Sequence, residues 1–252
     1  MRLEGRRILI TGAASGIGLA IVKRFLEEGA RIAMLDRDET RLNAALGPTS
    51  SADSVVRLCA DVCDASQVQA AVTGAIDALG GLDGVVNCAG VSLLRPFDQL
   101  TVEEWNDIIS VNLTGPFLVC HAALPALQAA GNATIVNVAS GAGLQPIPNR
   151  VAYCSAKGGL VMFSKALAID LAPSGIRVNA LCPGLIDTPM VARTMAIVAD
   201  PKVEFDRAMA YRVIKRLGTA DEMADAALFL TSTESSYMTG SALSVDGGRC
   251  FH

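Results

Sequence analysis

Residues 11–18 read T-G-A-A-S-G-I-G, and what surrounds them leaves few folds open. A short apolar run, Arg7 to Thr11, enters this turn. A helical pattern (Ile17, Ala20, Ile21, Phe25, Leu26) leaves it and stops at Gly29. Strand, glycine turn and helix start are the parts of a pyrophosphate site. The missing side chains let backbone N–H groups approach phosphates, and the helix dipole favours negative charge there. A glycine triplet alone is a weak signal. Here the next apolar run, Arg31 to Leu35, ends in Asp36, about twenty residues past the glycines, where a carboxylate meets the diol of an adenine ribose. The combination implies a dinucleotide site.

The alternation runs to the end of the chain. Further strands are expected at Val55–Cys59, Leu82–Val86, Thr134–Ala139, Arg177–Leu181 and Ala242–Val245. Helices are expected at Ala65–Leu79, after Thr101, through Val111–Leu113 to Ala130, at Val151–Ala172 and at Asp221–Leu230. Thr101 followed by Glu103 and Glu104 is a capped, acidic first turn. Strands alternating with long helices predict an α/β fold: one doubly wound parallel sheet of the Rossmann type, with helices on both faces. No linker, charge run or repeat divides residues 1–252, which read as one domain. Such folds bind ligands beyond the carboxyl ends of the strands, and Asp36, Asp61, Asn87, Ser140 and Pro183 all fall there.

Composition excludes several alternatives. Apolar residues make up 51% and aromatics only 4%, so the core is built of Ala, Val, Leu and Ile, which suits buried parallel strands. A net charge of −4 offers no broad basic surface for nucleic acid. From Ile108 to Asn149 there is no Asp, Glu, Lys or Arg, yet Pro116, His121, Pro125 and Gln128 interrupt the run, and no clean apolar stretch of about 20 residues exists. It reads as a helix buried on several sides and then a central strand, with no membrane partner. The apolar run after Arg6-Arg7 is too short for a signal peptide. The seven cysteines are scattered without a C-x-x-C, and only two histidines join them. Neither a metal site nor a disulfide framework is expected, and reduced thiols fit a cytoplasmic setting.

A second constellation lies in residues 138–165. Tyr153 and Lys157 stand four residues apart, one turn on the same helix face, and Ser140 precedes the tyrosine by thirteen. A nearby cation favours phenolate over phenol, and a phenol so tuned can exchange a proton with an alcohol or carbonyl oxygen held by a serine hydroxyl. On its own, Y-x-x-x-K is as readily a surface pair; the rest of the chain decides.

Taken together, T-G-A-A-S-G-I-G, N-C-A-G (87–90), Asn112, Ser140, Y-C-S-A-K (153–157), P-G-L-I-D-T (183–188) and the terminal D-G-G resemble the short-chain dehydrogenase/reductases over essentially the whole chain. One departure is Cys88, where the family often has a second asparagine. The resemblance implies an oxidoreductase moving hydride between NAD(H) and a secondary alcohol or ketone. Tyr153 would be the general acid/base, and Ser140 would polarise the substrate oxygen. Lys157 would bind the nicotinamide ribose and depress the tyrosine pKa, and Asn112 would hold a water in a proton relay. Gly12, Ser15, Ile17 and Gly18 would line the pyrophosphate turn, Asp36 the adenine ribose, Asp61 and Val62 the adenine. Asn87 to Gly90 would lie at the ribose, and Pro183, Ile186 and Thr188 at the nicotinamide end. Bland readings stand beside two of these: Asn112 as a helix-kink residue and Thr188 as a helix cap. Asp36, with Ser15 where phosphate-preferring members place a basic residue, favours NAD(H) over NADP(H); Arg37 is the complication.

Within the same family, a beta-ketoacyl carrier-protein reductase would need a basic patch, but the stretches Gln128–Thr134 and Ala166–Ala172 lack arginine. A non-enzymatic nucleotide-binding scaffold has no chemical need of Ser140, Tyr153 and Lys157 together. Substrate determinants are expected in Val91–Pro96, Ala142–Arg150 and Pro189–Arg212. Within the last, Val191–Arg212 has no steady period and reads as a mobile lid. Arg95 and Arg150 can face either substrate or solvent. Cys154 lies about 100° round the helix from Tyr153, so adjacency does not place it in the pocket. His121 reads as a buried or interface residue, and Gly247-Gly248 as a packing feature near a subunit contact. The run from Ile108 to Asn149 gives its helices no charged outer face, and the resemblance implies that they pair between subunits in a homotetramer.

Overall fold

A computed structural model describes residues 1–46 and 54–250. In its first strand, β1 (Arg7–Thr11), Ile8 and Ile10 join the core on one face of the sheet and Leu9 the core on the other, all three fully inaccessible to solvent. Two-sided burial explains why this run is continuously apolar rather than alternating. The other strands are β2 (Arg31–Asp36), β3 (Val55–Cys59), β4 (Gly84–Asn87), β5 (Thr134–Val138), β6 (Arg177–Pro183) and β7 (Ala242–Val245). They form one sheet in the order β3-β2-β1-β4-β5-β6-β7, every neighbouring pair parallel.

Helices α1 (Gly16–Glu27) and α9 (Ala220–Thr231) cover one face, packing on Ile8, Ile10, Met34 and Leu181. Helices α3 (Ala65–Leu79), α5 (Gly115–Ala130) and α6 (Val151–Leu171) cover the other, on Leu9, Leu35, Val85 and Ile135. The expected doubly wound sheet is therefore present. Its register places Leu35, Thr11, Asn87, Asn137 and Ala180 in one row, so the chain leaves β2, β1, β4, β5 and β6 along a common edge. The strand order reverses between β1 and β4, and the crevice of such a fold opens there.

Local differences from the sequence reading have identifiable causes. A short helix, α2 (Glu39–Ala44), was not anticipated; Asp38 caps it by accepting from the Arg41 N–H at 3.0 Å. Helix α4 (Val102–Ile109) starts at a capping box of Thr101 and Glu104 and passes through a π-turn, Ser110–Thr114, into α5. The stretch Val102–Ala130 is long and apolar enough to cross a bilayer by length and composition. In the fold Val119, Ala123 and Leu127 of this stretch pack into the core beside α3.

Residues 191–212, read as having no steady period, contain most of two helices, α7 (Pro189–Met195) and α8 (Pro201–Ala210). Their starts are set by proline in the first turn and, for α8, by Asp200 accepting from the Lys202 and Val203 N–H groups at 3.0 Å. No apolar period announces them, because they have little core to cover: Ile197, Val203 and Tyr211 are exposed.

Candidate active site

A cleft of about 1190 Å³ runs along the carboxyl edge of the sheet. Of the residues expected at the site, Gly12, Ser15, Ile17, Gly18, Asp36, Asp61, Val62, Gly90, Asn112, Ser140, Tyr153, Lys157, Pro183, Ile186 and Thr188 line it. Asn87 does not. It follows Val86, which faces the α1 side, so strand parity turns its side chain into the opposite core. There its Nδ2 donates to Asn137 Oδ1 at 2.8 Å and to Cys120 Sγ at 3.2 Å. The Asn87 side chain thus fixes β4 to β5, which leaves only its main chain for the expected approach to a cofactor ribose, and Cys88, Ala89 and Gly90 form the cleft wall.

At one end the glycine turn is closed so tightly that side chains are excluded. A Cβ on Gly12, which has φ +64°, would lie 2.7 Å from Ala89 Cα, and one on Gly18 would lie 2.1 Å from the Gly12 carbonyl oxygen. Ser15 occupies the cap position of α1 without capping it through its side chain, so the first-turn N–H groups stay open toward the cleft. Thr188 comes up against this turn, 3.6 Å from where a Gly16 Cβ would sit. It stands at the start of α7, but its hydroxyl donates to the Ile186 carbonyl at 3.3 Å instead of capping the helix.

Asp36, the last residue of β2, is held by both carboxylate oxygens: Oδ2 accepts from the Ala14 N–H at 3.0 Å and Oδ1 from the Asp38 N–H at 3.1 Å. Each oxygen keeps a lone pair for a further donor. Arg37 lies mostly in solvent, 3.9 Å from Asp61. A cradle that only glycine permits, an open helix N-terminus and an anchored carboxylate fit a dinucleotide.

At the other end β5 delivers Ser140 and the second turn of α6 delivers Lys157. Lys157 is 4% exposed, and its ammonium donates to the Val138 carbonyl at 2.8 Å, leaving two protons for other acceptors. Burial pushes the Lys157 ammonium down to about 8. Tyr153 is half-buried beside it, with Lys157 Nζ 6.0 Å from the ring centroid. The Ser140 hydroxyl hydrogen-bonds the phenol and also accepts from the Ala142 N–H at 3.1 Å. The expected lowering of the Tyr153 pKa is not found in the chain by itself. Burial pushes the phenol up, outweighing the Ser140 hydrogen bond and the positive charge of Arg150. Without an acceptor or charge supplied by a ligand, the phenol is the stable form.

Asn112 is fully buried inside the π-turn. Its Nδ2 donates to the Val91 and Ile108 carbonyls at 3.0 and 2.9 Å, and its Oδ1 accepts from the Val91 N–H at 3.3 Å. It is thus the kink residue and also the clamp that fixes the chain just after Gly90. Arg95 is paired with Glu104 at 2.6 Å, whereas Arg150 faces the cleft and donates to the Ser92 hydroxyl. Cys154 stays outside the cleft, against Ile147.

Two buried arginines escaped sequence reasoning. Arg249 folds back after Asp246, which accepts from the Gly248 and Arg249 N–H groups, and it binds the carbonyls of Gly141, Gln145 and Pro146. Arg212 follows α8 into the same cleft wall. The D-G-G sequence was the one available signal, and it serves packing within the chain: the Gly247 carbonyl accepts from Val213 and Ile214.

Comparison with known proteins agrees with this geometry. A family model described as Enoyl-(Acyl carrier protein) reductase matches residues 12–249. The chain is 39% identical over 249 residues to 2-(S)-hydroxypropyl-CoM dehydrogenase 3 of Xanthobacter autotrophicus, covering 98% of this chain and 97% of that one. It is 36% identical to a 3-oxoacyl-(acyl-carrier-protein) reductase of Thermotoga maritima, covering 98% and 99%. Among solved structures, 3-ketoacyl-(acyl-carrier-protein) reductase from Brucella melitensis complexed with NADH superposes with a TM-score of 0.90 at 35% identity, covering 99% and 100%.

Proposed function

Because the chain belongs to the short-chain dehydrogenase/reductase family, we propose that it interconverts a secondary alcohol and a ketone with NAD(H), Tyr153 serving as general acid/base. The observation that carries this reading is that Ser140, Tyr153 and Lys157 share one cleft with the glycine turn and Asp36. Bound NAD+ supplies the hydride acceptor, and NADH the donor in the reverse direction. The open N–H groups of α1 would hold its pyrophosphate, and Asp36 would accept from the adenine ribose hydroxyls. Lys157 would have its two remaining protons for the nicotinamide ribose.

In the oxidative direction the substrate hydroxyl lies between Ser140 and Tyr153. Ser140 donates to its oxygen, and Tyr153, as phenolate, takes its proton while the carbinol C–H bond breaks. Burial alone opposes the phenolate; the charge of Lys157, with that of the oxidised nicotinamide when bound, would bring it within reach. Asn112 has its side chain committed to Val91 and Ile108, so a relay through it would use its main-chain carbonyl.

Helices α7 and α8 serve as the lid, since Met190, Arg193, Ile197 and Tyr211 line the cleft from this segment. The exposed Phe117, His121, Met162 and Ile169 on α5 and α6 support assembly as a homotetramer, and the seven free thiols suit the cytoplasm. The carrier-protein reductase reading is favoured by two of the relatives, but no arginine stands in Gln128–Thr134 or Ala166–Ala172 to receive an acidic partner. The test is a panel of cyclic, aliphatic and polyol secondary alcohols screened for NADH formation. Turnover of at least one is expected; none with either NAD+ or NADP+ would overturn the proposal.

A further inference from the structure

The substrate end of the cleft carries more positive charge than the chemistry above uses. Arg150, Arg193, Arg207, Arg212 and Arg249 line it, against a single carboxylate, Glu204, which lies 3.7 Å from Arg207. The other acids of the cleft wall, Asp36, Asp38 and Asp61, stand beyond β2 and β3 at the adenosine end.

These arginines are not equivalent. Arg249 is spent on the three loop carbonyls of Gly141, Gln145 and Pro146. Arg150 is half-buried at the start of α6, and the Ser92 hydroxyl, bound by its Nη1, is its one hydrogen-bond partner among the described residues. No described carboxylate forms an ion pair with it. Arg212 is 6% exposed; its Nη1 donates to the Ala208 carbonyl, and its Nε is buried without a partner. A guanidinium cannot shed its proton to escape burial, and open donors in such a place are costly until something accepts from them. Burial lowers the pKa of both Arg150 and Arg212, outweighing the opposite pull of Glu204 on the first and of Asp246 on the second. Glu204 and Asp246 act on Arg150 and Arg212 only through space, without an ion pair among the described residues, so this wall keeps a surplus of positive charge.

We propose that the substrate carries an anionic group (carboxylate, sulfonate or phosphate) that seats on the Arg150 guanidinium, with Arg212 behind it, while its carbinol oxygen lies between Ser140 and Tyr153. The planar fork of Arg150 binds two oxygens of such a group at once. Arg150 holds the N-cap position of α6, three positions before Tyr153, and both line the same cleft, so the anion and the carbinol belong to one short chain. This rests on the oxidoreductase reading above, and the experiment separates the two.

Catalytic efficiency with NAD+ is measured for a matched series of short 3-hydroxy compounds ending in carboxylate, sulfonate, phosphate ester or neutral methyl ester. At least one anionic member is expected to exceed the ester by ~10²-fold or more, and the best of them identifies the group. Arg150→Ala should cut that anion-to-ester ratio at least ~10-fold, Arg150→Lys should keep part of it, and NADH affinity measured by fluorescence should hold within about threefold. The preference of the unmodified enzyme stands as a test even if a variant fails to fold. An ester that equals or beats every anion overturns the proposal and leaves the oxidoreductase reading standing. Equal losses on ester and anion make Arg150 a loop clamp, and a matching loss of NADH affinity places it on the cofactor; either result overturns the proposal. Failure to oxidise any secondary alcohol removes both readings together.

Discussion

The Lys157 ammonium reaches back nineteen residues to donate a 2.8 Å hydrogen bond to the Val138 carbonyl, tying the catalytic helix α6 to the end of β5 that carries Ser140. One contact thus sets the distance between the two halves of the catalytic group. It also keeps a cation in a place that burial disfavours.

That conflict predicts a stability cost. The Lys157 pKa is lowered to about 8 from 10.5, so between those values the unfolded chain holds a proton that the folded chain has released. Stability from this group therefore rises with pH through that window and is lost as pH falls through about 8. Below it the cost is about 3 kcal/mol, at 1.36 kcal/mol per pKa unit. Lys157→Met should stabilise the free protein at pH 7 by about 2 kcal/mol, after roughly 1 kcal/mol for the unpaired Val138 carbonyl. Thermal melts should show the gain at pH 7 and its disappearance by pH 10.5, with activity lost throughout. A variant less stable at pH 7 would contradict the account.

Asp36 is expected to govern cofactor choice. Its carboxylate is fixed by the Ala14 and Asp38 N–H groups, so it cannot swing away from a 2′-phosphate carrying about −2 charge. The ratio of catalytic efficiencies should favour NAD(H), and Asp36→Ala should reduce that ratio by ~10-fold or more. If the variant gains NADP(H) activity, adding Arg37→Ala should abolish the gain, since Arg37 is free to turn toward a phosphate. An unchanged preference in Asp36→Ala would rule out repulsion as the cause.

Much of this site was legible because its residues are tied to local rules. A glycine turn must follow β1 and open α1, and acids must end strands to face the crevice. What could not be read depends on directions set in three dimensions. Asn87 was assigned to the cofactor because it ends a strand, but strand parity points it at Cys120 and Asn137 instead. Helices α7 and α8 were missed because they lack a core-facing stripe. Arg249 lies over a hundred residues from the loop it holds, and no periodicity encodes that meeting. A lowered Tyr153 pKa was expected because spacing shows a neighbouring cation; spacing does not show the burial that pushes the free phenol up.

The segment 189–212 should close on the substrate. Its apolar side chains Ile197, Val203 and Tyr211 are exposed, and its inner residues line the cleft. Amide exchange there should be fast in the free protein and at least ~10-fold slower with NADH and a bound ketone. Equal protection in both states would remove the lid.

Assembly should depend on α5 and α6. Phe117 and His121 stack at 5.7 Å on the outer face of α5, and Met162 and Ile169 are more than half exposed on α6. Sedimentation should give a tetramer at micromolar concentration. Phe117→Glu with Ile169→Glu should shift it toward dimers or monomers, and an unaltered tetramer would place the contact elsewhere.

The central claim is that Tyr153 moves the proton, and Tyr153→Phe tests it with least disturbance, since a single oxygen is removed from a side chain whose ring stays packed. NADH titration by fluorescence and turnover of the best alcohol from the panel are measured on the same preparation. NADH affinity within about threefold of the parent, with turnover lowered at least ~10²-fold at every pH, is the predicted result. A Tyr153→Phe enzyme that binds NADH and turns over within about fivefold of the parent would contradict it.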